Sequence, residues 1–252
     1  MRQALAVAAK APQPGTVKTR LHSRLSAEEA TELYRCFLKD TLLLMDSIPK
    51  TERVISYTPK GGERYFDGIH SGKLGNLGKP GNLGNNRNPR LLLQRGESFG
   101  DKLYHAFEEL FGEGFDSVVI IDADSPTLPR AYLTDAFDEL ARPGERLVLG
   151  PAEDGGYYLI GLRRPHRRLF EEITWSSDRV LAETLERARE IALEAYLLPM
   201  WYDVDDSATL ERLKSEVIGG NGFTGLSKAS EAPHTRRFIE ERWPGDSYNA
   251  ND

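Results

Sequence analysis

FGDKLYHAFEELFGEGFDSVVIIDADSPTLPRAYLTDAFDEL, residues 99–140, reads as helix, strand, helix. The apolar run at 117–121 is too short for a helix and closes on Asp122. Residues 100–111 and 130–140 on either side repeat apolar side chains at helical spacing. A buried strand between helices of ten or more residues predicts an α/β sheet with helices on both faces. In such sheets, ligands collect at the carboxyl ends of the strands. Asp122 and Asp124 stand at such an end.

Working outward, residues 4–9 form a small apolar run stopped by Lys10 and two prolines, the signature of a central strand entering a loop. Ser26 followed by Glu29 predicts a capping box, after which Leu33, Tyr34, Phe37, Leu38, Leu42 and Met45 fall on one helical stripe. Residues 53–58, 147–150, 157–161 and 195–198 read as further strands, and 178–189 and 207–217 as helices. The alternation predicts a three-layer α/β/α, Rossmann-like domain over residues 1–218 with a mainly parallel mixed sheet. Residues 67–88, containing GNLGKPGNLGN, are too poor in core formers to pack and read as a flexible insertion. Residues 219–252 read as an extension with one short helix in HTRRFIEERW and a disordered end.

With 252 residues, 39% hydrophobic and 29% charged, the chain has the composition of a globular protein large enough for one sizeable core. The N-terminal apolar run is too short for a membrane span or a signal segment, which predicts a cytoplasmic protein with no membrane partner. A net charge of −6 without a dense basic tract argues against a nucleic-acid partner. RRPHRR at 163–168 reads as a solvated loop, and the lone Cys36, on an apolar stripe, as a buried thiol. HExxH and P-loop motifs are absent from the sequence, and the loop of residues 9–21 carries no GxGxxG dinucleotide fingerprint.

Four polar clusters remain. In AKAPQPGTVKTRL, residues 9–21, Pro14 and Gly15 shape a turn, and Lys10, Lys18, Thr19 and Arg20 make an anion site suited to a di- or triphosphate. In DADSPTLP, Asp122 and Asp124 can approach one hard cation, Mg²⁺ or Mn²⁺; the alternative has Asp124 capping its loop and Asp122 pairing with a lysine. In GPAEDGGYYLIGL, Glu153 and Asp154 can orient a hydroxyl or act as a base, and Gly155, Gly156 and Tyr157 can line a substrate. In WYDVDD, Asp203 and Asp205 can complete a metal site, while Asp206 or Ser207 caps the next helix. Trp175, Ser176 and Ser177, just before a helix, can bind a phosphate or merely cap.

These motifs, in this order from about Leu5 to Leu213 and with ITWSS between them, resemble a bacterial glycosyltransferase-A-like family. It is known as radical-SAM/selenodomain-associated transferase 1, or domain of unknown function 2064, and is related to the 2-phospho-lactate guanylyltransferases. The resemblance implies a nucleotide-diphospho-sugar transferase fold, nucleotide phosphates held by Lys10, Lys18 and Arg20, and a divalent metal held by Asp124 and Asp205. Family members often carry glycine at the position of Asp122, which puts the weight on Asp124. The implied activity is metal-dependent transfer from a nucleotide or nucleotide-sugar donor to a small-molecule acceptor. Glycosyl transfer leads, nucleotidyl transfer with pyrophosphate release is the alternative, and a nucleotide-binding protein without catalysis is a third possibility.

Overall fold

The structure, a computed structural model, describes residues 1–69, 89–219 and 228–244. Most of the proposed insertion, the glycine-rich 220–227 and the last residues, 245–252, lie outside the described residues.

Among the described residues seven strands form one sheet in the order β3-β2-β1-β4-β6-β5-β7. They are β1 (Gln3–Lys10), β2 (Thr51–Thr58), β3 (Arg90–Leu93), β4 (Ser117–Ile121), β5 (Arg146–Pro151), β6 (Tyr157–Leu162) and β7 (Glu194–Leu197). β6 runs antiparallel to its neighbours β4 and β5, and the remaining pairs are parallel. This is the mainly parallel mixed sheet the sequence predicts. Among the described residues six α-helices accompany it: α1 (Ala27–Asp46), α2 (Phe99–Gly112), α3 (Arg130–Ala141), α4 (Val180–Glu190), α5 (Ser207–Gly219) and α6 (Pro233–Arg242).

Alternation along β1 builds the layers. Leu5, Val7 and Ala9 face a core shared with α1, α3, α5 and α6, while Ala4 and Ala6 face a second core under α2 and α4. Each fully buried leucine in these layers, such as Leu5 or Leu110, stabilises the fold by about 1.5 to 3 kcal/mol. The predicted capping box closes α1: Ser26 accepts from the Glu29 amide and Glu29 from the Ser26 amide, at 3.1 and 2.8 Å. The helix in the C-terminal extension docks on α1. Asp40, buried on α1, accepts the backbone amides of His234 and Thr235 at 3.0 and 2.8 Å, and burial pushes its carboxyl up to about 6.

β1 is followed by β2 and β3 on one side and has β4 on the other. The sheet's connectivity therefore switches between β1 and β4, where a crevice opens beyond their carboxyl ends. Among the described residues no helix is long and apolar enough to cross a membrane.

Candidate functional site

The loop after β1 is shaped by its own residues. Pro14 and Gly15 occupy the middle of a turn closed by Thr16 N–H donating to Gln13 C=O at 3.1 Å. Gly15 takes the left-handed φ of 78° that a second turn position of this kind requires. Val17 and Leu21 then anchor the loop in the core, so the side chains between them are aimed rather than free. Lys18 itself is left-handed, with φ 49°, a conformation costly for a residue with a Cβ and a mark of functional sites.

That backbone turn sends the Lys18 side chain inward, where only 4% of it remains exposed. Its ammonium meets Asp124 Oδ1 at 2.6 Å, Asp205 Oδ1 at 3.0 Å and the Val204 carbonyl at 2.7 Å, one acceptor for each of its three protons. Burial works against the charge, but the two carboxylates outweigh it, and the lysine pKa lies above its ordinary value. Val204 N–H donates to Asp124 C=O at 2.9 Å, which staples the acidic loop after β4 to the one before α5. Arg20, 75% exposed, reaches Asp205 Oδ2 at 3.6 Å. Lys10 donates to the Thr16 carbonyl at 2.9 Å.

Two adjoining cavities open here. One, of about 230 Å³, is lined by Lys10, Lys18, Thr19, Arg20, Asp124 and Asp205 among others. The second, of about 290 Å³, shares Lys10, Tyr34 and Asp124 with the first and continues over Ala8, Gln94, Phe99, Lys102 and Tyr157. Pro14 and Gly15 shape the loop without lining either cavity.

The roles weighed for the DAD aspartates are exchanged. Asp122, not Asp124, holds the loop: its carboxylate accepts from the Asp124 amide at 3.0 Å and the Ser125 hydroxyl at 3.3 Å. Asp124, not Asp122, pairs with lysine. The reason is that β4 ends at Ile121, so the two residues do not share a face as they would two apart on a strand. Loss of solvent and the neighbouring Asp124 push the Asp122 carboxyl well above the carboxylate range. Asp203 is pushed up to about 6 by burial, then by Asp205 and Asp154. Asp206 caps α5 by accepting from the Thr209 amide at 2.9 Å.

The GPAEDGG cluster is occupied differently. Both Glu153 oxygens accept from Arg212, at 2.9 and 2.8 Å, and Asp154 Oδ1 accepts the Gly156 amide at 2.8 Å. Gly155, with φ 88°, lies where a Cβ would come within 2.2 Å of the Asp178 carbonyl. Its close approach is thus to the chain's own backbone rather than to a ligand. Of this cluster Tyr157, Tyr158 and Ile160 line the second cavity, whereas Glu153, Asp154, Gly155 and Gly156 line neither of the two. Trp175 lies edge-on to Phe99, with centroids 5.2 Å apart, and reaches the second cavity only through it. Ser177 accepts from the Arg179 amide and donates to the Thr174 carbonyl, a local cap, and Ser176 is exposed with φ 64°. Arg164, Arg167 and Arg168 of the basic run are taken up in ion pairs with glutamates.

The sequence reading passed over Tyr34, Thr58, Gln94, Phe99 and Lys102, all of which line the second cavity. Tyr34 shares the apolar stripe of α1, and its hydroxyl, which accepts the Lys10 amide at 3.1 Å, is invisible to periodicity. Gln94 follows the unrecognised β3; the triplet Leu91–Leu92–Leu93 ahead of it was the available signal.

A seven-stranded sheet of this order, with cations and carboxylates meeting at its switch point, defines an α/β/α protein of the nucleotide-diphospho-sugar transferase fold. Residues 44–177, half of the chain, match the family described as an uncharacterized protein conserved in bacteria (DUF2064), and the chain belongs to that family. A crystal structure of a candidate nucleotide-diphospho-sugar transferase from Desulfovibrio desulfuricans G20 is similar over 96% of this chain and 95% of its own, at 28% identity and a TM-score of 0.77. A cytidylyltransferase from Leptospira borgpetersenii serovar Hardjo-bovis (strain JB197) shares the fold at 14% identity and a TM-score of 0.52, covering 96% and 95% of the two chains. A 4-diphosphocytidyl-2C-methyl-D-erythritol synthase does so at 10% identity and 0.52, covering 84% and 98%. None of the curated proteins matches in sequence.

Proposed function

We propose that the chain is a transferase that takes a nucleotide-activated donor, most simply a nucleotide-diphospho-sugar, and passes the activated group to a small-molecule acceptor. The observation that carries this reading is the convergence of Lys18 and Arg20 from the first loop with Asp124 and Asp205 from two later loops on one 230 Å³ cavity. The 28%-identical Desulfovibrio desulfuricans protein, named for this class of activity, supports it.

In this reading Lys18, Lys10 and Arg20 hold the diphosphate and stabilise the charge that gathers on it as the donor bond breaks. The adjoining, more apolar cavity takes the next part of the ligand, with Gln94 and Lys102 among its polar groups. Asp124 and Asp205 fit a hard divalent cation, since an oxygen of each already lies within 3.0 Å of a single cationic centre, the Lys18 ammonium standing in. Among the described residues no three acidic, histidine or cysteine side chains gather around one point. Two carboxylates would hold a magnesium or manganese ion that completes its shell with substrate phosphates. When bound, such an ion would neutralise the phosphate oxygens facing it.

Nucleotidyl transfer, with a phosphorylated small molecule attacking a nucleoside triphosphate, is the second reading. It is favoured by the state of the candidate bases. Glu153 is held by Arg212 and Asp154 by its own turn, and a phosphate nucleophile needs no proton removed, whereas a sugar hydroxyl does. Product analysis with Mg²⁺ separates the two. Nucleoside diphosphate release from nucleotide sugars is the expected result, and pyrophosphate release from nucleoside triphosphates with phosphorylated acids or sugars would replace it by the second. Binding without any turnover, unchanged in Asp124→Ala and without metal, would contradict both.

A further inference from the structure

Lys18 occupies the place that a metal would need. Its ammonium uses one oxygen of Asp124 and one of Asp205, and its third proton is given to the Val204 carbonyl. A divalent ion cannot approach the same two oxygens to bonding distance while they accept from the ammonium, and it would meet the lysine charge head-on. Nor can the lysine withdraw on its own. With 4% of the side chain exposed and the backbone turned inward at φ 49°, leaving its three acceptors without replacements would strand the ammonium, whereas Asp124 and Asp205, 36% and 40% exposed, stay open to solvent.

Replacements become available on one side only. The 230 Å³ cavity adjoining the ammonium is bordered by Lys10, Thr19 and Arg20, and Arg20, 75% exposed, touches Asp205 only at 3.6 Å. Phosphate oxygens placed there would give the lysine new acceptors and free the carboxylate oxygens in the same movement. We propose that Lys18 is a built-in counter-ion: it holds the cation position between Asp124 and Asp205 in the empty protein and yields it only to a metal that arrives with a diphosphate. Metal uptake is thereby conditional on the ligand. In the Lys18→Met chain, which cannot supply the ammonium, the carboxylates take metal alone. The inference rests on the reading of Asp124 and Asp205 as cation ligands.

The test needs no nucleotide and no turnover, so its failure is separate from failure of the proposed reaction. Mn²⁺ binding to the full chain is measured by electron paramagnetic resonance and by thermal denaturation, with wild type, K18M and K18M/D205N compared. The expected result is a saturable Mn²⁺ site in K18M at least about tenfold tighter than any in wild type, accompanied by a rise in midpoint, and its loss in K18M/D205N. K18Q, which keeps one amide donor, serves if K18M does not fold and should also bind Mn²⁺ more tightly than wild type. A wild-type chain that binds Mn²⁺ alone as tightly as the variants overturns the proposal, as does the absence of a site in every folded variant.

Discussion

The two acidic clusters near the crevice, Asp124 with Asp205 and Glu153 with Asp154, sit at comparable places after strands and are built in opposite ways. The first pair draws its carboxylates from two loops and its lysine from a third, at the expense of a left-handed backbone and a buried charge. The second pair is satisfied close to home. Glu153 is held by Arg212 on the adjoining helix, and Asp154 by the amide two residues on. Position at a strand end therefore does not by itself make a carboxylate functional. In the proposed reading, what separates the clusters is whether a ligand supplies the partner: a phosphate and its ion would take over from Lys18, whereas Glu153 and Asp154 keep Arg212 and the Gly156 amide of the chain itself.

Substitutions can break this contrast. The largest effect should come from Asp124→Ala, which removes a partner of Lys18 and, in the proposed reading, a cation ligand. Turnover should fall by about a hundredfold to a thousandfold, measured as product per time at saturating Mg²⁺, while the fold persists by circular dichroism. Lys18→Ala comes next, weakening nucleotide affinity by roughly tenfold to a hundredfold in a calorimetric titration, since charge-assisted hydrogen bonds are lost. Gly155→Ala should act on stability instead. Its φ of 88° and the 2.2 Å approach to Asp178 predict a loss of about 2 to 3 kcal/mol in a denaturant melt, with ligand affinity of the folded fraction little changed. Glu153→Gln should do least. An ion pair whose carboxylate is 46% exposed is worth under about 1 kcal/mol. Turnover should stay within about twofold of wild type, whereas removal of a general base would lower it by about a hundredfold or more. A large loss of turnover in Glu153→Gln would erase the distinction between the clusters.

Much of the fold was legible because burial writes itself into periodicity. β4 is buried at all five positions and apolar at four of them, α1 carries its stripe behind a capping box, and the β5–β6 pair announces itself through a polar turn. β3 escaped notice because four residues beside a compositionally biased stretch give no period to count. In the site, the residue types of the first loop and of DVDD were readable, as was their common destination at the carboxyl edge of a parallel sheet. The division of labour between Asp122 and Asp124 was not. It depends on where β4 stops, and on whether a carboxylate turns back to its own loop or out to Lys18. Tyr34 and Gln94 were hidden for a different reason. A side chain that packs along its body and uses one polar atom looks, in sequence, like core or loop.

The most direct measurement is the thermal midpoint of the wild-type and Asp124→Ala proteins against a panel of nucleoside diphosphates, triphosphates and nucleotide sugars, each with and without Mn²⁺. Ligands that bind only the folded chain raise its midpoint. If the Lys18, Asp124 and Asp205 cavity holds a diphosphate with its ion, at least one of these compounds will stabilise the wild type more strongly with Mn²⁺ than without it, and that increment will vanish in the variant. An increment of equal size in Asp124→Ala, or no stabilisation of the wild type by any member of the panel, would contradict the account.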